Sequence, residues 1–199
     1  MIRISHFVKS TKVLGPGSRF CIWFQGCNKR CNGCINEEGQ DINGGFDIKL
    51  NDLFEKIKNE NSITGITISG GEPFLQKDKL LEFINIIKKE TKLDIMIYSG
   101  YLYEDLINDS ISKEILSKID IFVDGEYIES KNEDQLYRGS SNQNIYILSE
   151  KYKSFETMIK SSNNRNIEFQ VLDNEELFMV GIPPKGFYDE FINKIRERI

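Results

Sequence analysis

Apolar positions along this chain repeat with two periods, and the two patterns take turns. Arg19 to Phe24 is apolar and aromatic and too short for a helix, which predicts a buried strand. Gly65 to Ser69 is a β-branched run that stops at paired glycines, the form of a parallel strand entering a loop. Leu93 to Tyr98 and Asp120 to Val123 repeat the form, ending at Ser99-Gly100 and Asp124-Gly125. Between these strands the period lengthens. Leu80, Phe83, Ile84 and Ile87 stand at i, i+3, i+4 and i+7 and predict a helix over about Lys77 to Lys89. Leu53, Phe54 and Ile57 mark the inner face of another, capped by Asn51 and ending near Asn59. A third is expected from Tyr103 to Ser117. Alternating strands and helices predict a parallel sheet with right-handed crossovers, its ligand loops at the carboxyl ends of the strands.

The flanks are less regular. Met1 to Lys12 reads as an arm or short strand pair, and Gly39 to Phe46 as a turn-rich connection. Beyond Gln143, short strands are expected at Ile145–Leu148, Ile167–Leu172 and Leu177–Val180, with a polar turn at Ser161–Arg165. Tyr188, Phe191, Ile192, Ile195 and Ile199 give a terminal amphipathic helix. The chain therefore divides into an α/β core over residues 1–143 and a small α+β extension over 144–199 that packs on it.

Composition narrows the setting. At 199 residues, 39% hydrophobic and 29% charged, the chain can bury a real core. No apolar run approaches the ~20 residues of a membrane span. The opening Met-Ile-Arg-Ile-Ser-His lacks the apolar stretch of a secretory signal, so a cytoplasmic protein is expected. A net charge of −5 argues against a phosphate-binding face, and no nucleic-acid partner is expected. All four cysteines fall between Cys21 and Cys34, a poor disulfide framework and a good metal or redox one.

Cys27, Cys31 and Cys34 form a C-x3-C-x2-C array, with Gly26 and Gly33 free to let the backbone wrap around a soft metal centre. Three thiolates are one short of a closed iron–sulfur or zinc site, and an open position is where chemistry occurs. A zinc site completed by Cys21, His6 or an acidic residue is the plainer alternative. Cys21, between Phe20 and Ile22, reads as a core thiol, and the lone His6 as a hydrogen-bonded or surface residue. Gly70-Gly71-Glu72-Pro73 is either a strand-ending turn or a place where backbone approaches a ligand closely.

Five further stretches accompany the cysteines in order: Gly15-Pro16-Gly17, Ser69-Gly70-Gly71-Glu72-Pro73, Ser99-Gly100-Tyr101, Val123-Asp124-Gly125, and the polar loop from Arg138 to Gln143. With Gln25-Gly26-Cys27 and Cys31-Asn32-Gly33-Cys34-Ile35-Asn36, they resemble the radical S-adenosylmethionine superfamily, and within it the activases of anaerobic ribonucleotide reductases. The likeness runs from about Ile4 to Gln143. It implies a partial, open (β/α) barrel and a [4Fe–4S] cluster on Cys27, Cys31 and Cys34, with S-adenosylmethionine on the fourth iron. It also implies reductive cleavage to methionine and a 5′-deoxyadenosyl radical that takes a hydrogen atom from a glycine of a glycyl-radical enzyme. The implied cofactor contacts are Gly33, Ile35, Gly70, Gly71, Glu72, Ser99, Gly100 and Asp124, with no catalytic residue beyond cluster and cofactor. A flavodoxin or ferredoxin would supply the electron. Residues 144–199 find no counterpart in the likeness and are expected to close or extend the open side and help select the partner. A small radical enzyme acting on another peptide or a small molecule, and a non-catalytic iron–sulfur or zinc module, are the rival readings.

Overall fold

The computed structural model describes residues 1–171 and 177–197. In chain order its strands and helices are Ile2–Thr11 (β1), Arg19–Phe24 (β2), Phe46–Ile48 (β3), Leu50–Lys58 (α1), Gly65–Gly70 (β4), Lys77–Glu90 (α2) and Asp94–Tyr98 (β5). There follow Tyr103–Leu106 (α3), Ser110–Leu116 (α4), Ile121–Asp124 (β6), Asn144–Ile147 (β7), Glu156–Ser161 (α5), Ile167–Val171 (β8), Leu177–Gly181 (β9) and Phe187–Arg196 (α6). Leu172 and Ile199, and the side chains of Tyr188 and Ile192, lie outside the described residues.

Seven strands form one sheet in the order β3-β1-β2-β4-β5-β6-β7. The central four run parallel, and β1, β3 and β7 join antiparallel. Edge strands β3 and β7 do not meet, so the described residues contain no closed barrel. The main sheet continues past residue 143, since β7 pairs with β6 from Asn144 to Ile147.

Four local expectations need correcting. The N-terminal arm is one ten-residue strand, held extended by partners on both sides. The turn-rich stretch after Gly39 ends in β3, whose three residues are too few to show a period. Lys49, not Asn51, precedes α1, and its side chain makes no capping bond. The expected helix from Tyr103 to Ser117 is two helices. Asp109 breaks it by capping α4, its carboxylate accepting from the Ser112 N–H at 2.9 Å and from Lys77 Nζ at 2.6 Å.

Strand alternation divides the side chains between two faces. Phe20, Ile22, Phe24, Ile66, Ile68, Ile95, Ile97 and Phe122 turn to one side, where α1, α2 and α4 cover them with Leu53, Ile57, Leu80, Phe83, Ile87 and Ile115. Each such side chain fully removed from water contributes roughly 1.5–3 kcal/mol. Residues between them in sequence face the other way. Met96, Ile121, Val123 and Ile145 meet Tyr152 and Ile159 of the segment around α5, and Val8, Leu14 and Cys21 meet Val180 of β9. The C-terminal hairpin β8–β9 therefore lies over the second face of β1 and β2. Arg165 ties it down, donating to the carbonyls of Gln135 (3.0 Å), Gly139 (3.0 Å) and Pro183 (3.0 Å), and also to that of Arg138. The stretch expected to be a polar turn leaves the last residue of α5, Ser161, and runs without regular structure to this buried cation.

At the amino ends of the parallel strands a second cation is enclosed. Arg19 is inaccessible to solvent, with Nη1 2.6 Å from Asp94, Nε 2.6 Å from the Thr67 hydroxyl and Nη2 2.6 Å from the Ile66 carbonyl. Asp94 also accepts from Lys151 (2.7 Å) and the Tyr152 hydroxyl (2.8 Å). Gly15, at φ 132°, leaves room for this guanidinium, since a Cβ there would stand 2.6 Å from Arg19 Cδ. The Gly-Pro-Gly stretch thus wraps a buried ion pair at the end of the sheet opposite the cysteines.

Burial works to raise the Asp94 carboxyl, but Arg19, Lys151 and Tyr152 outweigh it and hold it below its usual range. The group is depressed in the folded chain, so its stabilisation is complete above the unfolded value of 3.8 and is lost as pH falls through the folded one. Asp94→Ala leaves Arg19 buried and unpaired and is expected to cost about 3–5 kcal/mol in urea unfolding. A loss below about 1 kcal/mol would contradict the network's role.

Candidate metal centre

The cysteine loop begins where β2 stops. Gln25 anchors it: its N–H donates to the Arg3 carbonyl (3.1 Å), and its side-chain amide donates to the carbonyls of Glu38 (2.9 Å) and Asp41 (2.6 Å). The Gln76 amide holds the neighbouring carbonyls of Arg3 (2.8 Å) and Gln25 (3.2 Å). Gly26, at φ 92°, then bends the chain so that its N–H meets the Gly39 carbonyl at 2.8 Å and Cys27 N–H meets that of Gln40 at 3.2 Å. Residues 26–40 are thereby closed into a loop whose two ends are pinned together.

The Gly-Gly-Glu turn after β4 grips this loop from the side. Gly71 N–H donates to the Phe24 carbonyl and Glu72 N–H to the Gly26 carbonyl, both at 2.8 Å. A Cβ on Gly71 would lie 2.2 Å from the Gly26 oxygen and 2.6 Å from that of Gly39. A Cβ on Gly70 would lie 2.3 Å from the Phe24 nitrogen. Close backbone approach at the paired glycines is thus made by the cysteine loop and its strand. Glu72 is fully buried. Its carboxylate accepts from Phe74 N–H (3.0 Å), the Ser99 hydroxyl (2.9 Å) and Gly100 N–H (2.7 Å), joining the turns after β4 and β5. Burial pushes its pKa up to about 6 even though these donors, and Lys29 nearby, pull the other way.

The three loop thiols are partly buried and unpaired. Burial raises the Cys27 and Cys31 thiols above their ordinary value, opposed at Cys27 by the N–H groups of Lys29 and Arg30 and at Cys31 by that of Tyr127. They share the loop without converging: among the described residues, no three His, Cys, Asp or Glu side chains are placed to hold an ion between them. The donor set is nonetheless that of a soft centre, three free sulfurs on a backbone turned by positive φ at Arg30 (50°) and Gly33 (70°). Two of the three expected zinc completers lie elsewhere. Cys21 packs among Val8, Leu14 and Val180, with its thiol pushed up to about 12 by burial, and the His6 ring lies 4.1 Å from that of Phe178.

A second grip comes from side chains around the cysteine array and the loops after β5 and β6. Lys29, inside the cysteine array, lies 4.2 Å over the Tyr101 ring and 3.1 Å from Glu126. Asn28 donates to the Tyr101 hydroxyl at 2.8 Å, and Asn32 approaches the Glu129 carboxylate at 3.5 Å. Tyr101 belongs to the Ser99-Gly100-Tyr101 motif, but nothing in a lone Lys or Glu signals such a contact. The structure therefore brings Cys27, Lys29, Gly71, Glu72, Ser99 and Gly100 together. Asp124 is buried beside β7, its carboxylate taken by Tyr103 N–H (2.9 Å) and Asn144 N–H (3.0 Å), so it serves as a brace between loops. Gly33 stands against Glu129, and Ile35 is 48% exposed.

The chain that carries this three-thiol loop, clasped to the carboxyl ends of parallel strands, matches a known family in sequence. The family described as a 4Fe-4S single cluster domain matches residues 13–146. The chain is 32% identical over 142 residues to the anaerobic ribonucleoside-triphosphate reductase-activating protein of Pasteurella multocida, covering 67% of this chain and 90% of that one. It is 30% identical over 144 residues to the protein of that name from Escherichia coli K12, covering 68% and 92%, and 28% identical over 139 residues to that of Enterobacteria phage T4, covering 67% and 86%. The chain belongs to the family of anaerobic ribonucleoside-triphosphate reductase-activating proteins, as the order of its motifs implied. Among the described residues no helix is long and apolar enough to cross a membrane.

Two outcomes test the clasp. Gly71→Ala drives a Cβ into two backbone carbonyls and is expected to cost about 3 kcal/mol and to lower the iron retained after reconstitution. A variant with wild-type stability would show that the loop gives way. Glu72 carries a pKa raised from 4.5 to about 6, so the folded chain holds its proton longer and stability declines as pH rises between these values. The stability difference between wild type and Glu72→Gln is expected to change by about 2 kcal/mol, against the wild type, from pH 4 to pH 7 in urea unfolding of the metal-free protein. A pH-independent difference would place the carboxylate in water.

Proposed function

We infer that this chain is a radical S-adenosylmethionine activase that installs a glycyl radical on an anaerobic ribonucleoside-triphosphate reductase. The observation that carries the reading is the clasped loop with its three free thiols, in a chain of the family whose members are named for activating that reductase. Cys27, Cys31 and Cys34 would hold a [4Fe–4S] cluster, leaving one iron for S-adenosylmethionine. The cluster, when bound, supplies one electron for cleavage of S-adenosylmethionine to methionine and a 5′-deoxyadenosyl radical, which takes a hydrogen atom from the partner's glycine. The chain's own task is to position and to shield. The Phe24–Gly71 and Gly26–Glu72 backbone bonds hold the start of the cysteine loop against the strand ends, where a cluster on the three thiols would be carried. Glu72 aims the N–H groups and carbonyls of the turns after β4 and β5 by holding Ser99 and Gly100. Lys29 sits between Tyr101 and Glu126 and closes the loop's outer side. The sheet, parallel at its centre and open between β3 and β7, supports the open-barrel form of the superfamily, with its core running through β7 and the residues beyond as a covering extension. A flavodoxin or ferredoxin is the matching reductant.

Anaerobic reconstitution is expected to give about four irons and four sulfides per chain. Alanine at Cys27, Cys31 or Cys34 is expected to abolish the cluster, while Cys21→Ala keeps it. The reduced protein is expected to cleave S-adenosylmethionine and to raise a glycyl-radical electron paramagnetic resonance signal on the reductase. Iron retained by Cys31→Ala, or zinc bound in place of a cluster, would overturn the reading. Cleavage without a signal on the reductase would transfer it to another peptide or small-molecule substrate.

A further inference from the structure

The outer edge of the sheet at β7 has a groove that none of the foregoing chemistry uses. Residues 144–148 form one wall of a cleft of about 380 Å³, Glu156 and Lys160 on α5 face them, and Arg138 stands at the rim. The strand's hydrogen bonding shows which of its groups are spare. Leu148 N–H donates to the Asp120 carbonyl (2.9 Å) and Asn144 N–H to the Asp124 carboxylate (3.0 Å), so the even-numbered residues turn toward β6. On the other side of β6, the Val123 carbonyl accepts from Ser99 N–H, which leaves its register partner Ile145 turned away. Antiparallel alternation therefore directs the N–H and C=O of Ile145 and Ile147 outward, and no bond from them to a neighbouring element occurs among the described residues. Arg138 adds to the unmet demand. Its Nη1 and Nη2 donate to the carbonyls of Gln143 (3.1 Å) and Lys160 (3.3 Å), while Nε is enclosed without an acceptor.

We propose that this edge takes an extended segment of the partner reductase as an added strand, with an acidic side chain set against Arg138, since Lys160 is already paired with Glu156 at 2.7 Å. An extended peptide meets the outward N–H and C=O groups of Ile145 and Ile147 together, at the spacing a strand presents, and a helix cannot. The ionic lining, Arg138 and Lys160 against Glu156, has a net positive charge, so the same edge of a second copy would meet it like against like, whereas an acidic segment is favoured. Topology gives the contact its use. The Asn144 end of β7 lies beside Asp124, and the loop that follows Asp124 holds the cysteine loop through Glu126 and Glu129. A strand laid along β7 therefore emerges beside the metal loop and delivers the residues that follow it there. The proposal rests on the activase reading, because it assigns the groove to the reductase.

The test is amide hydrogen exchange on the reconstituted protein, alone and with the anaerobic ribonucleoside-triphosphate reductase, with complex formation followed by sedimentation. Exchange at Ile145 and Ile147 is expected to slow by ~10-fold or more in the complex, equivalent to a hydrogen bond worth about 1.4 kcal/mol. Ile147→Pro removes an outward N–H and leaves the bonds to β6 in place. It is expected to weaken the complex at least ~10-fold while iron content and S-adenosylmethionine cleavage stay at the wild-type level. A complex that leaves both amides unchanged overturns the edge contact and leaves the activase reading standing. Absence of any complex overturns both. Slowing at the two amides without reductase, in protein that sediments as a dimer, gives the edge to a second copy and overturns the proposal.

Discussion

Two backbone hydrogen bonds, from Gly71 to Phe24 and from Glu72 to Gly26, determine where the cysteines of this protein can be. They join the end of one parallel strand to the start of the loop that leaves its neighbour, and they form only where the facing residue has no side chain. Everything else about the site is arranged to keep that contact. Gln25 and Gln76 satisfy the carbonyls around it, and Glu72, placed without water among three donors, turns a costly buried carboxylate into a fixed strut. A buried charge held this way has little freedom to move, and that is the property a positioning residue needs.

The sheet carries a counterpart at its other end. Arg19 and Asp94, linked to Thr67, Lys151 and Tyr152, bridge β2, β4 and β5 and the segment after β7. Such a network adds less net stability than apolar packing of the same volume, but it admits one register and penalises the others. The parallel strands are thus pinned below by ionic geometry and above by glycine contact, with the apolar layers between them supplying most of the stabilisation.

The sequence showed the elements whose periods were long enough to register. Leu80, Phe83, Ile84 and Ile87 place α2 without ambiguity, and the β-branched runs place β4, β5 and β6. It misplaced structure wherever a tertiary contact overrode the local pattern: β1 is a full strand because partners flank it, and Asp109 divides a helix because Lys77 and Ser112 engage it. The cysteines, the glycine pair and Glu72 were legible as types in order, since only a few residue types can do their work. Lys29 and Glu126 were not, and Tyr101 was legible only as part of a motif, because a surface charge and an aromatic ring become a latch only when folding sets Lys29 4.2 Å over the ring and 3.1 Å from Glu126.

Arg165 has a wider implication. It lies beyond residue 146, where the family match ends, yet it secures the C-terminal hairpin to the core's loops chiefly through main-chain carbonyls. Carbonyls are present in every polypeptide, whatever its side chains. At Gln135, Arg138 and Gly139 the grip depends on main-chain shape alone, while Asn132 and Asp134 supply its side-chain part. Side chains at Gln135 and Arg138 can therefore change without loosening this joint, whereas Asn132 and Asp134 cannot.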